Sequence, residues 1–150
     1  MKKRDLAFLK GFVKKRKKPD GEIFSMLDDF DFLKEDIPNE PGAYILLSFK
    51  SRFIYPEGTS KVIYIGMSKK LKKRLTGHYN ALVEVSGKKI NEKRNFWYYS
   101  RYNYLDRFGC RVYWFKCKNS ETPKELESIL MDAFYSKYHS LPVGNGAFSF

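Results

Sequence analysis

Arg74 and His78 stand four positions apart in the run Ser68-Lys69-Lys70-Leu71-Lys72-Lys73-Arg74-Leu75-Thr76-Gly77-His78. On a helix, residues four apart project from one face, one turn above the other. The arginine fork can neutralise a phosphate, and a histidine beside it can accept or donate a proton near neutral pH. The same pair could instead belong to a solvated basic face with Lys69, Lys70, Lys72 and Lys73. Two tyrosines, Tyr44 and Tyr64, each lie near a glycine in a short apolar run. Neighbouring positive charge favours a phenolate, so either could take up a proton; both could equally be core residues. Glu127 follows a helix start at Thr122 and borders an apolar stripe. A carboxylate there can hold Mg²⁺ with waters and a phosphate oxygen completing the shell, or it can sit exposed in the favourable first turns of the helix.

Other chemistries find no support. The two histidines, His78 and His139, form no His-Glu-x-x-His pattern and no Cys/His cluster, which argues against zinc. There is no Gly-x-x-x-x-Gly-Lys phosphate loop and no Gly-x-Ser-x-Gly elbow. Cys110 and Cys117 lie seven apart in an extended segment, so their side chains face opposite sides of a sheet and a disulfide between them is not expected. A cytoplasmic, reduced protein is the expectation, since Met1-Lys2-Lys3-Arg4-Asp5 leads into no signal-type apolar region and no run approaches the roughly 18–20 apolar residues of a membrane span. The net charge of +12 points to a polyanionic partner, with no membrane association expected.

Periodicity and turn chemistry give the elements that must position these groups. Residues 1–18 carry nine Lys or Arg against one Asp, and Leu6, Phe8, Leu9, Phe12 and Val13 predict an amphipathic basic helix ended by Pro19-Asp20-Gly21. Residues 20–40 hold eight acidic groups against Lys34, and Phe24, Leu27, Phe30, Leu33 and Ile37 predict a second short helix. Residues 1–38 thus read as an N-terminal helical extension. Residues 1–40 net only +1, leaving +11 for the body of the chain. Strands are predicted at 43–49 and 62–65, joined by a hairpin-type connection at 51–60. Ser68 reads as the N-cap of a helix over 69–77. Residues 81–85 suit a helical turn or two, and 95–108 an aromatic helix or irregular cover. A third strand at 110–117 is β-branched and aromatic. Thr122-Pro123-Lys124-Glu125 is a capping box with proline at the first helical position. Leu126, Ile129, Leu130, Ala133 and Phe134 give that helix its apolar face, and 141–145 end it. The fold class is α+β, sandwich-like: a small three-stranded, mostly antiparallel sheet flanked by helices.

Taken in order, Gly42-Ala43-Tyr44, Tyr64-Ile65-Gly66, Ser68-x-x-Leu71-x-x-Arg74-Leu75-x-x-His78, Glu127-x-x-Leu130 and Pro142-x-x-Asn145 resemble the signature of the GIY-YIG nuclease family. The resemblance covers roughly residues 41–145 and makes 39–150 a nuclease-like domain. It implies a three-stranded antiparallel sheet flanked by helices and endonucleolytic cleavage of phosphodiesters with one divalent metal, Mg²⁺ or Mn²⁺. By position it makes Tyr44 the general base or water-positioning group, supported by Tyr64. Arg74 would stabilise phosphorane charge, His78 would assist proton transfer, Glu127 would hold the metal, and Asn145 would support the site by hydrogen bonding. Ala43 stands where Ile or Val is usual. Met67 stands where some relatives have lysine, a role Lys69 or Lys70 would fill. DNA is expected ahead of RNA.

Beyond the signature, Phe96, Trp97, Tyr98, Tyr99, Tyr102 and Tyr104 follow Lys88, Lys89, Lys93 and Arg94 and enclose Arg101. Rings beside cations can stack bases and pair phosphates, or they can cover the sheet as a second core layer. Lys69, Lys70, Lys73, Lys93, Arg94 and Arg101 are the nucleic-acid-binding candidates. The alternative to catalysis is a binding module that keeps the fold without turnover.

Overall fold

In a computed structural model, described for residues 3–9, 20–23, 37–48, 50–86 and 110–145, the chain forms an antiparallel sheet covered by a helix on each face. The strands are β1 (Gly21–Ile23), β2 (Gly42–Ser48), β3 (Phe53–Tyr55), β4 (Gly58–Ser60), β5 (Val62–Ser68) and β6 (Cys110–Lys116); the helices are α1 (Leu71–Ser86) and α2 (Pro123–Tyr138). The sheet core is β6-β2-β5, all antiparallel, so the expected three-stranded α+β architecture is present. The three-residue strand β1 extends it at the β6 edge. Its attachment is local: Asp20 N–H donates to the Trp114 carbonyl at 2.8 Å, and Lys116 N–H donates to Asp20 Oδ2 at 2.7 Å. The strand thus begins at Gly21, inside the stretch expected to be a turn.

Alternation along the strands divides the core in two. Ala43, Ile45 and Leu47 of β2, with Tyr113 and Phe115 of β6, face α2 and the N-terminal segment. Tyr44 and Leu46, with Val112 and Trp114, face α1. Between β2 and β5 the register slips at Leu46/Leu47, where Ile63 bulges out of the pairing. The bulge keeps Tyr64 and Gly66 on the Tyr44 side while Val62 joins the opposite one. Cys110 and Cys117 fall in opposite layers and are free thiols. Burial pushes the Cys110 thiol far up, because a thiolate has no water there.

Several elements differ from expectation. The N-terminal segment Lys3–Leu9 is 3₁₀-helical and broken at Leu6, not an amphipathic α-helix. Leu6, Phe8 and Leu9 are buried against α2, with the Phe8 and Phe134 rings edge-on at 5.3 Å. The aromatic block at 95–108 lies outside the described residues, as does the predicted helix over 24–37 except for Ile37, which is buried and not helical. The connection at 51–60 is itself a hairpin, β3 paired with β4. On α2 the buried stripe is Leu126, Leu130, Ala133, Phe134 and Tyr138, while Ile129 is 40% exposed. The stripe runs on to Tyr138, whose ring lies against that of Tyr55 (centroids 5.6 Å apart). It ends not at 141–145 but at His139, which caps it in the left-handed conformation (φ 55°).

Candidate active site

The site lies at the end of the sheet where β2 begins and β5 and β6 finish, Gly42 being paired with both Ser68 and Lys116. The preceding loop stitches this end together. Asn39 Oδ1 accepts from Lys73 N–H at 3.2 Å, the Glu40 carbonyl from Leu71 N–H at 2.9 Å, and the Pro41 carbonyl from Cys117 N–H at 2.9 Å. Ser68 Oγ accepts from Lys70 N–H at 3.0 Å, closing a turn just before α1. The expected N-cap is thus shared: Ser68 closes the turn, and the 39–40 loop satisfies amides of the first helical turn. Gly77, exposed within α1, does not end the helix, which runs on to Ser86.

Two glycines make close approaches possible. A Cβ on Gly42 would collide with the Phe115 carbonyl and the Leu71 side chain. A Cβ on Gly66 would lie 2.5 Å from the Tyr44 Cζ and hydroxyl oxygen and 2.7 Å from Tyr64 Cε1. Tyr44 pairs directly across from Gly66, so its ring occupies the space that a side chain would fill. Over that ring comes His78 from α1. The Tyr44 hydroxyl and His78 Nε2 are 2.5 Å apart, a buried hydrogen bond. Tyr44 donates when His78 is neutral at Nε2; a protonated His78 donates to Tyr44 instead. Tyr64 completes a ring cluster, its centroid 6.1 Å from Tyr44 and 5.8 Å from His78.

His78 is also part of a cleft of about 960 Å³ running from the end of β5 across the start of α1 to the first turn of α2. Its described lining contains Lys69, Lys70, Lys73, Arg74 and Lys124, with no Asp or Glu. Two helix N-termini converge there, whose dipoles favour an anion. Several of their amides are already satisfied, so the cationic side chains are the groups available to a ligand. The described residues thus bring Arg74, His78, Lys69, Lys70 and Lys73 to one cleft, with Tyr44 and Tyr64 packed behind His78. Asn145 lies elsewhere, along the outer edge of β5. Its Oδ1 accepts from Ile65 N–H and its Nδ2 donates to the Ile65 carbonyl, both at 2.9 Å. Lys93, Arg94 and Arg101 fall outside the described residues.

Glu127 sits one turn beyond the cleft wall and is not among the described lining residues. Its carboxyl is half-buried and, among the described residues, takes no hydrogen bond. Burial raises its pKa, and the Lys124 charge pulls the other way. A lone carboxylate of this kind suits Mg²⁺, which keeps waters and uses substrate oxygens, better than an all-protein cage. No group of three or more His, Cys, Asp or Glu able to hold a metal occurs among the described residues. Lys124 and Thr122, read in the sequence only as parts of the capping box, also line the cleft. The only sequence signal was the capping box, which fixes where α2 begins but not what that end faces.

No helix among the described residues is long and apolar enough to cross a membrane. Compared with known proteins, the chain matches no family model, no curated protein sequence and no solved structure.

Proposed function

We propose that this chain is a divalent-metal-dependent endonuclease of GIY-YIG type, hydrolysing nucleic-acid phosphodiesters, DNA ahead of RNA. One observation carries the reading: the buried Tyr44–His78 hydrogen bond lies at a cleft whose described wall holds five cations and no carboxylate. A polyanion is drawn to such a wall, and a proton-exchanging pair beside it is what hydrolysis needs. Arg74 neutralises a phosphate oxygen and the charge that builds on phosphorus during attack. The Tyr44–His78 pair receives the proton of the attacking water; Tyr44 fixes the imidazole and shares the proton across the short bond. The ring cluster with Tyr64 holds both groups in place. Glu127 would hold the metal, which supplies Lewis-acid charge stabilisation when bound. A cytoplasmic setting accords with the two free thiols.

The test is cleavage of labelled single-stranded, duplex and branched DNA and RNA in Mg²⁺ or Mn²⁺ and in chelator. Metal-dependent cutting by wild type, lost in Glu127→Ala with binding retained, supports the proposal. Absence of cutting on every substrate overturns it. A second reading, a non-catalytic nucleic-acid-binding module, draws on Glu127 standing without a second carboxylate or histidine cluster among the described residues. It expects salt-sensitive binding and no product in any metal.

A further inference from the structure

We propose that Lys124 grips a backbone phosphate from the α2 side of the cleft, so that the bound strand passes between the two helices at the Gly42/Ser68 end of the sheet. This rests on the nucleic-acid reading above and defines the path of the backbone. Lys69, Lys70, Lys73 and Arg74 reach the cleft from α1 and its approach, and Lys124 reaches it from the first turn of α2. With cations from α1 alone, a polyanion would lie along the outside of α1. A cation from α2 draws the strand inward, past His78.

Lys124 suits the task. It is exposed and lines the cleft. Its backbone is fixed by the capping box around it, Glu125 N–H donating to Thr122 Oγ1 at 3.2 Å and Thr122 N–H to Glu125 Oε2 at 3.3 Å. A lysine ammonium is a point charge that meets a phosphate from many angles, so the contact positions the strand without reading sequence.

The experiment measures binding apart from catalysis: fluorescence anisotropy of labelled single-stranded and duplex DNA in chelator, over a range of salt. Wild type is compared with Lys124→Ala, Lys124→Arg and Lys50→Ala. Lys50 is exposed and follows β2 at the opposite end of the sheet, so Lys50→Ala removes an equal charge outside the cleft. Lys124→Ala is expected to bind several-fold more weakly and to flatten the slope of log K against log salt by about 0.7–0.9, the value of one phosphate contact. Lys124→Arg restores the slope, and Lys50→Ala leaves it unchanged. Matching unfolding temperatures exclude a folding defect. If Lys124→Ala behaves as Lys50→Ala does, the Lys124 assignment falls and the nuclease reading stands. If wild type shows no salt-sensitive binding, both fall.

Discussion

At the scale of single residues, Glu127 and Gly66 carry opposite burdens. The Glu127 carboxyl is held above its ordinary range because half-burial disfavours its charge more than Lys124 favours it. A carboxyl raised on folding makes the native state bind its proton more tightly than the unfolded chain does. Stability is therefore lost as pH rises through the interval from the unfolded to the raised value, and the loss is complete above it. Glu127→Gln should leave stability at pH 7 equal or higher, with the gain vanishing at pH values below the ordinary carboxylate range. In the proposed reaction it should also abolish cleavage. Thermal unfolding at both pH values beside a cleavage assay tests this; a clear loss of stability at pH 7 would count against it. Gly66→Ala should act the other way. The added methyl forces Tyr44 from its place, at a cost of about 1–3 kcal/mol for overpacking, and breaks the contact with His78. Urea unfolding gives the cost, and the His78 ring resonances report the broken bond.

At the scale of elements, β5 is the strand that needs help, because among the described residues its outer edge has no partner strand. The turn at 142–145 supplies one in miniature. Gly144 N–H donates to the Ile63 carbonyl at 2.6 Å, and Asn145 meets both backbone groups of Ile65. Tyr55 joins in, donating to the Val62 carbonyl and accepting from Val143 N–H. Such cover blunts an edge that would otherwise template association. Asn145→Ala should cost about 1–3 kcal/mol for each backbone group it leaves unsatisfied. Asn145→Asp, which keeps the acceptor but sets a buried carboxylate oxygen against the Ile65 carbonyl, should cost more than Asn145→Ala at pH 7. Urea unfolding of the two variants side by side decides it: equal losses would mean that the turn, not the amide, holds the edge.

At the scale of the whole molecule, the N-terminal segment and the sheet share one core, since Leu6, Phe8 and Leu9 pack into the layer that α2 covers. Phe8 is 2% exposed. Phe8→Ala should destabilise by about 3–5 kcal/mol, lowering far- and near-ultraviolet transitions together. A melting curve in which the sheet and α2 keep their wild-type midpoint would show two independent units instead.

Much of this architecture is legible in the amino-acid sequence. The apolar runs around Tyr44 and Tyr64, the β-branched and aromatic run at 110–116, and the capping box at Thr122 specify local states through propensity and local hydrogen bonding, so those strands and α2 fell where expected. The pair Arg74 and His78 was legible for the same reason: four positions on one helix are one turn. What depends on distant partners was not. The N-terminus of α1 is served by Asn39 and Glu40, and β1 exists only because β6 offers it an edge. His139, not a glycine, ends α2 in the left-handed conformation, its N–H donating to the Tyr135 carbonyl. Sequence spacing set the roster of reactive side chains and their local neighbours. Only the tertiary structure decided that Tyr44 bonds His78 thirty-four positions away, that Lys124 lines the cleft fifty positions after Arg74, and that Asn145 guards an edge. Such contacts follow from strand register and from the meeting of two helix ends, which a one-dimensional pattern does not encode.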